Sequence, residues 1–340
     1  MPAKKIILRA DGNSQIGLGH VYRLLALAEM LKDEFDCYFA INNPDAFTLQ
    51  QIEKTCWGSI LLNSTKEYVL PDKNKPGEEM EFDLEEYLTG NEIVVTDGYL
   101  FGEKYQLAVK AKGSKLVCID DLAECDFYSD IIINHAPGIN LSVYKKQEYS
   151  RLFTGLDYAI LRQPFFKSFN EKRNTFQKAF ISLGGSDYFG YSEKLLELIL
   201  QLSQFESVHL LCTSSFSDEL LNALKKKEAT SARIKLHFNL DTIQLVDLLD
   251  NCTHAFIAAG TVLIEAYARG LKCFTGFYTR NQQFMYDGFI KNHLAIGTGN
   301  FNVLSENAIK TAMKYESSIV PLFCPLESQK SLKGIFTSLV

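Results

Sequence analysis

Short apolar runs alternate along the whole chain with segments whose apolar residues recur at helical spacing. In the first half, the runs that predict strands lie at residues 5–10, 37–42, 59–63, 92–99, 115–121 and 130–135. A second series follows at residues 178–185, 208–213, 234–238, 254–260, 272–278 and 294–299. Alternation of strands and helices is typical of βαβ units, which build parallel sheets. The pattern therefore predicts an α/β fold with two Rossmann-like parallel-sheet domains.

The stretch between the two series predicts a domain boundary. Residues 162–177 (RQPFFKSFNEKRNTFQ) are polar and basic, include a proline and have no clear period, as expected of a linker. We therefore predict an N-terminal domain at 1–164 and a C-terminal domain at 165–340. Two such domains facing each other would enclose a cleft. Because open α/β sheets bind ligands beyond the carboxyl ends of their strands, the loops after strands are the places to look for chemistry.

Composition narrows the function classes. The 340 residues are 46% hydrophobic and 22% charged, with a formal charge of −6 and no long basic run, which predicts a globular protein that does not bind nucleic acid. The eight cysteines are scattered without a CxxC pair, so we expect reduced core residues. No signal-peptide pattern follows Met1 and no apolar stretch approaches about 18 residues. These features predict a cytoplasmic protein that does not insert into a membrane.

The loop after the first predicted strand leads into a helix that should begin near His20. Apolar residues with helical spacing follow it, at Val21, Leu24, Leu25, Ala28 and Leu31. Gly17 and Gly19 precede the first turn, where backbone N–H groups can bind an anion or a polarised oxygen. A dinucleotide fingerprint would need glycine or alanine where Tyr22 stands, so the sequence disfavours NAD binding.

His20 is the first candidate for chemistry. The positive end of a helix dipole disfavours an imidazolium, and a neutral imidazole can act as a general base. The alternative is that His20 caps the helix or fills a polar corner. Arg9 and Asp11 end the first strand; Asp11 could orient a catalytic group or simply hold the loop.

Further polar side chains follow other predicted strands. Asp97, Tyr99, Asp120 and Asp121 would all reach the same sheet edge as His20. Each aspartate could equally cap a helix or stabilise a turn. Since the sequence has no DxD motif and no metal-binding histidine spacing, it predicts neither a metal site nor a cofactor.

In the second half, glycines again separate strands from helices. Gly184 and Gly185 precede a helix expected from about Tyr191. Gly260 and Thr261 begin another helix, where backbone donors could bind phosphate.

Three side chains near these helix starts could contact a nucleotide. Glu265 lies one turn inside the helix that begins at Thr261, where it could accept from ribose hydroxyls or belong to a solvated face. Asn281 and Gln282 begin the next helix, and their amides could bind a ligand or cap the chain.

The motifs taken together resemble a known group. They are, in order, RADGNSQIGLGHVYRLLALA, VVTDGYLFGEKY, CIDDLAECDFYSDIIINH, LFTGLDYAILRQPF, AFISLGGSD, IAAGTVLIEAYARG and TRNQQ. Their order and spacing, from about residue 5 to about residue 300, resemble the UDP-sugar hydrolases of pseudaminic acid biosynthesis and the similar spore-coat polysaccharide proteins. Those hydrolases act on UDP-2,4-diacetamido-2,4,6-trideoxy-β-L-altropyranose.

The resemblance implies a glycosyltransferase-B-like (GT-B-like) fold and hydrolysis without metal to UDP and the free sugar. His20 would be the catalytic base, with Gly17 and Gly19 in its loop. Residues matching the N-terminal motifs would line the sugar pocket: Arg9, Asp11, Asp97 and Tyr99. Residues matching the C-terminal motifs would bind UDP: Gly184, Gly185, Gly260, Thr261, Glu265, Asn281 and Gln282.

The resemblance leaves alternatives open. The chain has LRQPF at 161–165, where the group commonly has LRPEF, so the sugar is less determined than the reaction. A glycosyltransferase with a UDP-sugar donor or a non-catalytic UDP-sugar-binding protein would carry similar motifs. A UDP-sugar 2-epimerase would need an acid/base pair that the sequence does not identify.

Overall fold

The structure is a computed structural model that describes residues 4–12, 18–62, 79–167, 177–184, 187, 190–213, 216–315 and 325–340. The chain divides into two compact units. The first contains Met1–His135, Ile139–Gln163 and Leu326–Val340, and the second contains Ala136–Gly138 and Pro164–Pro325. The change from Gln163 to Pro164 lies beside the predicted boundary. No helix in the described part of the chain combines the length and apolar character needed to cross a bilayer.

The first unit is built on a parallel sheet with helices between its strands. The strands are β1 (Lys4–Arg9), β2 (Phe35–Asn42), β3 (Gly58–Leu62), β4 (Ile93–Asp97), β5 (Lys115–Ile119), β6 (Asp126–Phe127), β7 (Ile131–Asn134), β8 (Lys145–Lys146) and β9 (Arg151–Thr154). The helices are α1 (Gly19–Leu31), α2 (Ala46–Thr55) and α3 (Glu103–Ala111). Among the described residues the sheet order is β3-β2-β1-β4-β5-β7-β9, and β6 pairs with β8.

The strand order at the centre of this sheet indicates where a ligand can bind. Both neighbours of β1 run parallel to it, with Ile6 beside Cys37 of β2 and beside Ile93 of β4. Because the strand order reverses direction at β1, the chain leaves a crevice above the carboxyl ends of β1 and β4. Every residue of β4 is buried, as expected of a parallel strand covered on both faces.

The second unit repeats this strand order. Its strands are β10 (Gln177–Ser182), β11 (Phe205–Cys212), β12 (Ile234–Phe238), β13 (His254–Ala258), β14 (Lys272–Phe277) and β15 (Ile296–Asn300). Its helices are α4 (Tyr191–Leu200), α5 (Asp218–Thr230), α6 (Thr242–Asp250), α7 (Thr261–Ala268), α8 (Gln283–Lys291) and α9 (Glu306–Met313). The sheet order in the described residues is β12-β11-β10-β13-β14-β15, with all pairs parallel. The reversal here falls between β10 and β13.

The predicted α/β fold class is confirmed, and each of the twelve predicted strands is present. Sequence analysis missed β9 because its four residues are exposed or half-buried and so lack a fully apolar run. It also missed β6 and β8, which are two residues each. Within the predicted linker, Gln163–Phe166 forms a 3₁₀ turn, and residues 168–176 lie outside the described residues.

The last helix differs from the predicted domain assignment. Residues 325–337 belong to the predicted C-terminal domain, 165–340, but they form helix α10 (Pro325–Thr337), which groups with the first unit. The Ser328 hydroxyl donates to the Ala159 carbonyl at 2.8 Å, and the Phe336 ring is fully buried with its centroid 6.3 Å from that of Phe35. Position along the chain does not determine which sheet this segment covers.

We expect Phe336→Ala to lower the free energy of unfolding of the first unit by about 3–5 kcal/mol, because it removes a fully buried aromatic ring and leaves a cavity. Lys330→Ala, on an exposed position of the same helix, is the matched control and should change stability by less than about 0.5 kcal/mol. Differential scanning calorimetry of the full chain measures both. Equal transitions for the two variants would contradict the assignment of α10 to the first unit's core.

Candidate active site

The start of α1 lies at the strand reversal of the first sheet. His20 follows β1 on the first turn of α1, and Asp97 ends the neighbouring strand β4. The predicted apolar stripe of α1 is confirmed as buried. No described side chain caps this helix end. Gly19 is exposed, and apart from its chain neighbours no described atom lies within 4 Å of the place a Cβ would occupy. Gly17 lies outside the described residues.

His20 is held by a buried carboxylate. Its Nδ1 lies 2.7 Å from Oδ1 of Asp97, whose side chain is completely buried. Because an ionised carboxylate can only accept, Nδ1 carries the hydrogen and the neutral ring keeps its lone pair on Nε2. Among the described residues Nε2 has no hydrogen-bond partner. The Tyr99 ring meets the imidazole edge-on at 4.8 Å between centroids, so the ring is fixed from two sides.

Arg23 binds the same carboxylate from the other side. Its Nε donates to Oδ2 of Asp97 at 2.7 Å and its Nη2 donates to Oδ1 at 2.6 Å. Burial alone would raise the pKa of Asp97, but Arg23 and His20 lower it to about 2. Asp97 is therefore ionised at neutral pH and can orient the His20 ring.

Asp121 and His135 complete this cluster. Asp121 accepts from Nη1 and Nη2 of Arg23, both at 2.8 Å. Burial would raise the pKa of Asp121, but Arg23 holds it below its usual value. His135 Nε2 lies 3.4 Å from Nη1 of Arg23, and burial together with Arg23 lowers the pKa of His135 to about 4. Its ring is therefore uncharged near neutral pH.

Asp120, although adjacent in sequence, belongs to a turn and not to the cluster. Its Oδ2 accepts from the N–H of Leu122 at 3.1 Å and from that of Ala123 at 2.8 Å. The Tyr144 hydroxyl donates to the same oxygen at 2.8 Å. Burial raises the pKa of Asp120 to about 6. For this residue the turn-stabilising alternative holds.

Arg9 and Asp11 form a buried ion pair at the end of β1. The Arg9 side chain is fully buried, and it donates to Asp11 at 2.6 and 2.8 Å and to Asp83 at 2.7 Å. Asp11 also accepts the N–H of Asn42 at 2.9 Å. These contacts connect the end of β1 to the end of β2. The expectation that Arg9 and Asp11 line a sugar pocket stays a prediction.

At the helix that follows the first predicted nucleotide loop of the second unit, a side chain already binds the backbone N–H groups. Gly184 follows β10 with φ of +95°, a conformation that glycine adopts without strain. Asp187 then accepts the N–H groups of Tyr191 at 2.8 Å and Ser192 at 2.7 Å, at the start of α4. Those donors are occupied by a carboxylate, so this helix start does not offer them to phosphate. Gly185 lies outside the described residues.

Helix α7 presents a more open start. No described side chain caps it, and apart from its chain neighbours no described atom lies within 4 Å of the place a Cβ on Gly260 would occupy. Thr261 is its first residue. Glu265 is 2% exposed, so the interpretation of a solvated helix face is wrong.

The two amides after β14 differ in role. The Gln282 side-chain oxygen accepts the N–H of Tyr278 at 2.9 Å, which holds the chain before α8. Asn281 lies half-buried in the 3₁₀ turn Arg280–Gln282.

Among the residues that the structure describes, no group of three His, Cys, Asp or Glu side chains is placed to hold a metal ion.

Sequence analysis missed Arg23, which joins the cluster together. The available signal was its position, three residues after His20 within the apolar helix HVYRLLALAEML. Residues three apart share a helix face, and a buried arginine needs carboxylate partners.

Known proteins similar in sequence cover most of the chain. A UDP-2,4-diacetamido-2,4,6-trideoxy-β-L-altropyranose hydrolase of Campylobacter jejuni is 25% identical over 288 residues, 82% of this chain and 93% of that protein. The spore coat polysaccharide biosynthesis protein SpsG of Bacillus subtilis is 24% identical over 324 residues, 92% of this chain and 89% of that protein. The chain is similar to both proteins over most of its length. The resemblance drawn from its motifs is confirmed.

An uncharacterised protein of Methanocaldococcus jannaschii is also similar, at 24% identity over 314 residues. The match covers 89% of this chain but 61% of that longer protein. No protein-family model matches the chain.

Solved structures show the same fold at low identity. MurG of Acinetobacter baumannii has a TM-score of 0.59 at 12% identity, covering 98% of this chain and 95% of that one. MnaA of S. aureus, solved with UDP, has a TM-score of 0.61 at 12% identity, covering 99% and 98%. The structure is therefore similar to GT-B glycosyltransferases.

The raised pKa of Asp120 predicts that the free energy of unfolding depends on pH. An unfolded Asp ionises near pH 4 and the folded one near 6, so between these values the unfolded state has lost more protons. The sign is therefore a loss of stability as pH rises from 4 to 6, of at most about 3 kcal/mol for this group. We expect Asp120→Asn to remove this slope, relative to the exposed control Asp126→Asn, in urea unfolding at pH 4, 5 and 6. Parallel pH profiles for the two variants would contradict a raised pKa.

Proposed function

We propose that this protein hydrolyses a UDP-linked 2,4-diacetamido-2,4,6-trideoxyhexose to the free sugar and UDP, with His20 as general base. The printed activity of the Campylobacter relative supports the reaction class. The observation that carries the proposal is the 2.7 Å contact between His20 Nδ1 and the fully buried Asp97 carboxylate.

The chemistry follows from this contact. Nε2 takes a proton from a water molecule as the water oxygen attacks the anomeric carbon. The bond from that carbon to the UDP oxygen breaks, and its electron pair leaves with the diphosphate. Asp97 faces the imidazolium that forms and stabilises it, as a carboxylate does behind a catalytic histidine. Help of this kind is worth about 10² to 10⁴ in rate.

The leaving group needs stabilisation of its negative charge. We assign this role to the open start of α7, where backbone N–H groups after Gly260 and at Thr261 can bind a phosphate oxygen. Gly184, Gly185, Glu265, Asn281 and Gln282 complete the proposed nucleotide-binding side. Because Asp187 already accepts the N–H groups of Tyr191 and Ser192 at the start of α4, we propose that α7 contributes more to phosphate binding than α4.

A glycosyltransferase is the second candidate function. The same oriented imidazole would deprotonate an acceptor hydroxyl as readily as water, and a solved glycosyltransferase of Rickettsia africae shares the fold, with a TM-score of 0.58 at 11% identity. Fold likeness cannot separate the two reactions.

Replacing His20 by Asn should lower turnover about 10²- to 10⁴-fold and leave UDP affinity within about twofold, because the base acts on water and not on the nucleotide. His293→Asn, at an exposed position of the second unit, is the control and should keep wild-type turnover. Steady-state UDP release and calorimetric UDP titration measure the two quantities. Ordinary turnover in His20→Asn would remove His20 from the mechanism.

Hydrolysis without an acceptor separates the two candidate functions. We expect a phosphorus NMR time course with UDP-diacetamido sugars and no acceptor to show UDP appearing at a catalytic rate. In ¹⁸O-labelled water the label should enter the sugar, since water attacks carbon. Release that requires an added acceptor would favour the transferase. Label in the phosphate would mean attack at phosphorus, and an intact ligand would indicate a binding protein.

A further inference from the structure

We propose that Asp121 is a second carboxylate, after Asp97, that acts on the proposed catalytic base His20. Arg23 joins Asp121 to the His20–Asp97 pair, and the charge of Asp121 determines how readily His20 takes up a proton. The inference rests on the proposed function of His20. It assigns positioning roles to Asp121 and Arg23, neither of which needs to contact the substrate.

The geometry shows how the two carboxylates are joined. Arg23 directs Nε and Nη2 to Asp97 and directs Nη1 and Nη2 to Asp121, with all four distances between 2.6 and 2.8 Å. Asp97 Oδ1 receives both Arg23 Nη2, at 2.6 Å, and His20 Nδ1, at 2.7 Å. A change in the hydrogen bonds from Arg23 to either carboxylate therefore changes the charge environment of Asp97 Oδ1, which is the oxygen that His20 contacts.

The charges of the groups around His20 determine whether Asp121 favours or disfavours proton uptake by His20. The groups facing it are Asp97 on β4, Arg23 on α1, Tyr99 after β4, and, through Arg23, Asp121 after β5 and His135 after β7.

Two of these groups are anionic carboxylates, one is a cation, and the phenol and the His135 ring are uncharged near neutral pH. The cluster therefore carries one net negative charge while His20 is neutral. Protonation of His20 brings the cluster to zero.

Because these groups are buried, the net charge of the cluster strongly affects the protonation of His20. The side chains of Asp97 and Arg23 are 0% and 5% exposed, and that of Asp121 is 15% exposed. Charges so poorly solvated are screened less by solvent and salt than exposed ones. Without the charge of Asp121, Arg23 would fully neutralise Asp97, and an imidazolium on His20 would leave a buried positive charge.

The test compares three changes of charge in the full-length protein. Asp121→Asn removes the charge and keeps an oxygen for Arg23. Asp121→Glu keeps the charge. Asp33→Asn removes a charge from a side chain that is 70% exposed, just beyond the other end of α1.

We expect Asp121→Asn to move the acidic limb of the kcat/KM pH profile to lower pH by about one unit, because the imidazolium loses a compensating charge. The kcat/KM plateau should fall about tenfold, as expected for a weaker base. Asp121→Glu and Asp33→Asn should keep the limb within about 0.3 unit. An unmoved limb in Asp121→Asn, or an equal shift in Asp33→Asn, would overturn the proposal.

A measurement without substrate keeps this inference separate from the proposed function. In ¹⁵N NMR of the ligand-free protein, the ring signals of His20 should change at lower pH in Asp121→Asn than in the wild type. That shift without any UDP-sugar hydrolysis would refute the function and retain the coupling, whereas hydrolysis with unshifted signals would refute the coupling. Should Asp121→Asn fail to fold, Asp121→Ser removes the same charge and takes its place.

Discussion

A buried, ionised carboxylate at the end of β4 is the constraint on which the first unit's site depends. Asp97 has no solvent-exposed area in its side chain, and an unpaired charge in that position would cost several kcal/mol. Arg23 compensates it with two hydrogen bonds, and His20 adds a third. Arg23 is itself buried and also donates to Asp121. The buried groups are therefore held in place by linked ion pairs and hydrogen bonds.

The two units use one strand order for different purposes. In both sheets the direction of winding reverses beside the first strand of the unit, which opens a crevice at the carboxyl ends of the strands. In the first unit, side chains fill this position and form an ionised cluster around His20. In the second unit the corresponding loops carry Gly184 and Gly260, and no described side chain caps the start of α7.

Two arginines of the first unit show why residue type alone does not identify a site. Arg9 and Arg23 each lie between two aspartates, and both side chains are buried. The Arg9 cluster ends on the Tyr105 hydroxyl, which donates to Asp83, and so links parts of the core. The Arg23 cluster ends on His20, whose side chain is 15% exposed. The exposure of His20, and not the salt bridges, distinguishes the cluster for which we propose catalysis from the Arg9 cluster.

The sequence by itself determined the predicted strands, the helix beginning near His20 and the α/β class, because these follow from short apolar runs and from apolar patterns of period 3.6. It also indicated His20 and Asp97, since both follow strands that end at one sheet edge. Only the tertiary structure decided which aspartate meets which cation: Asp121 pairs with Arg23, while its neighbour Asp120 turns to Tyr144. It likewise showed that Arg9 pairs with Asp11 and Asp83, and it placed α10 on the first unit. Such pairings join residues far apart in the chain, and neither spacing nor composition encodes them.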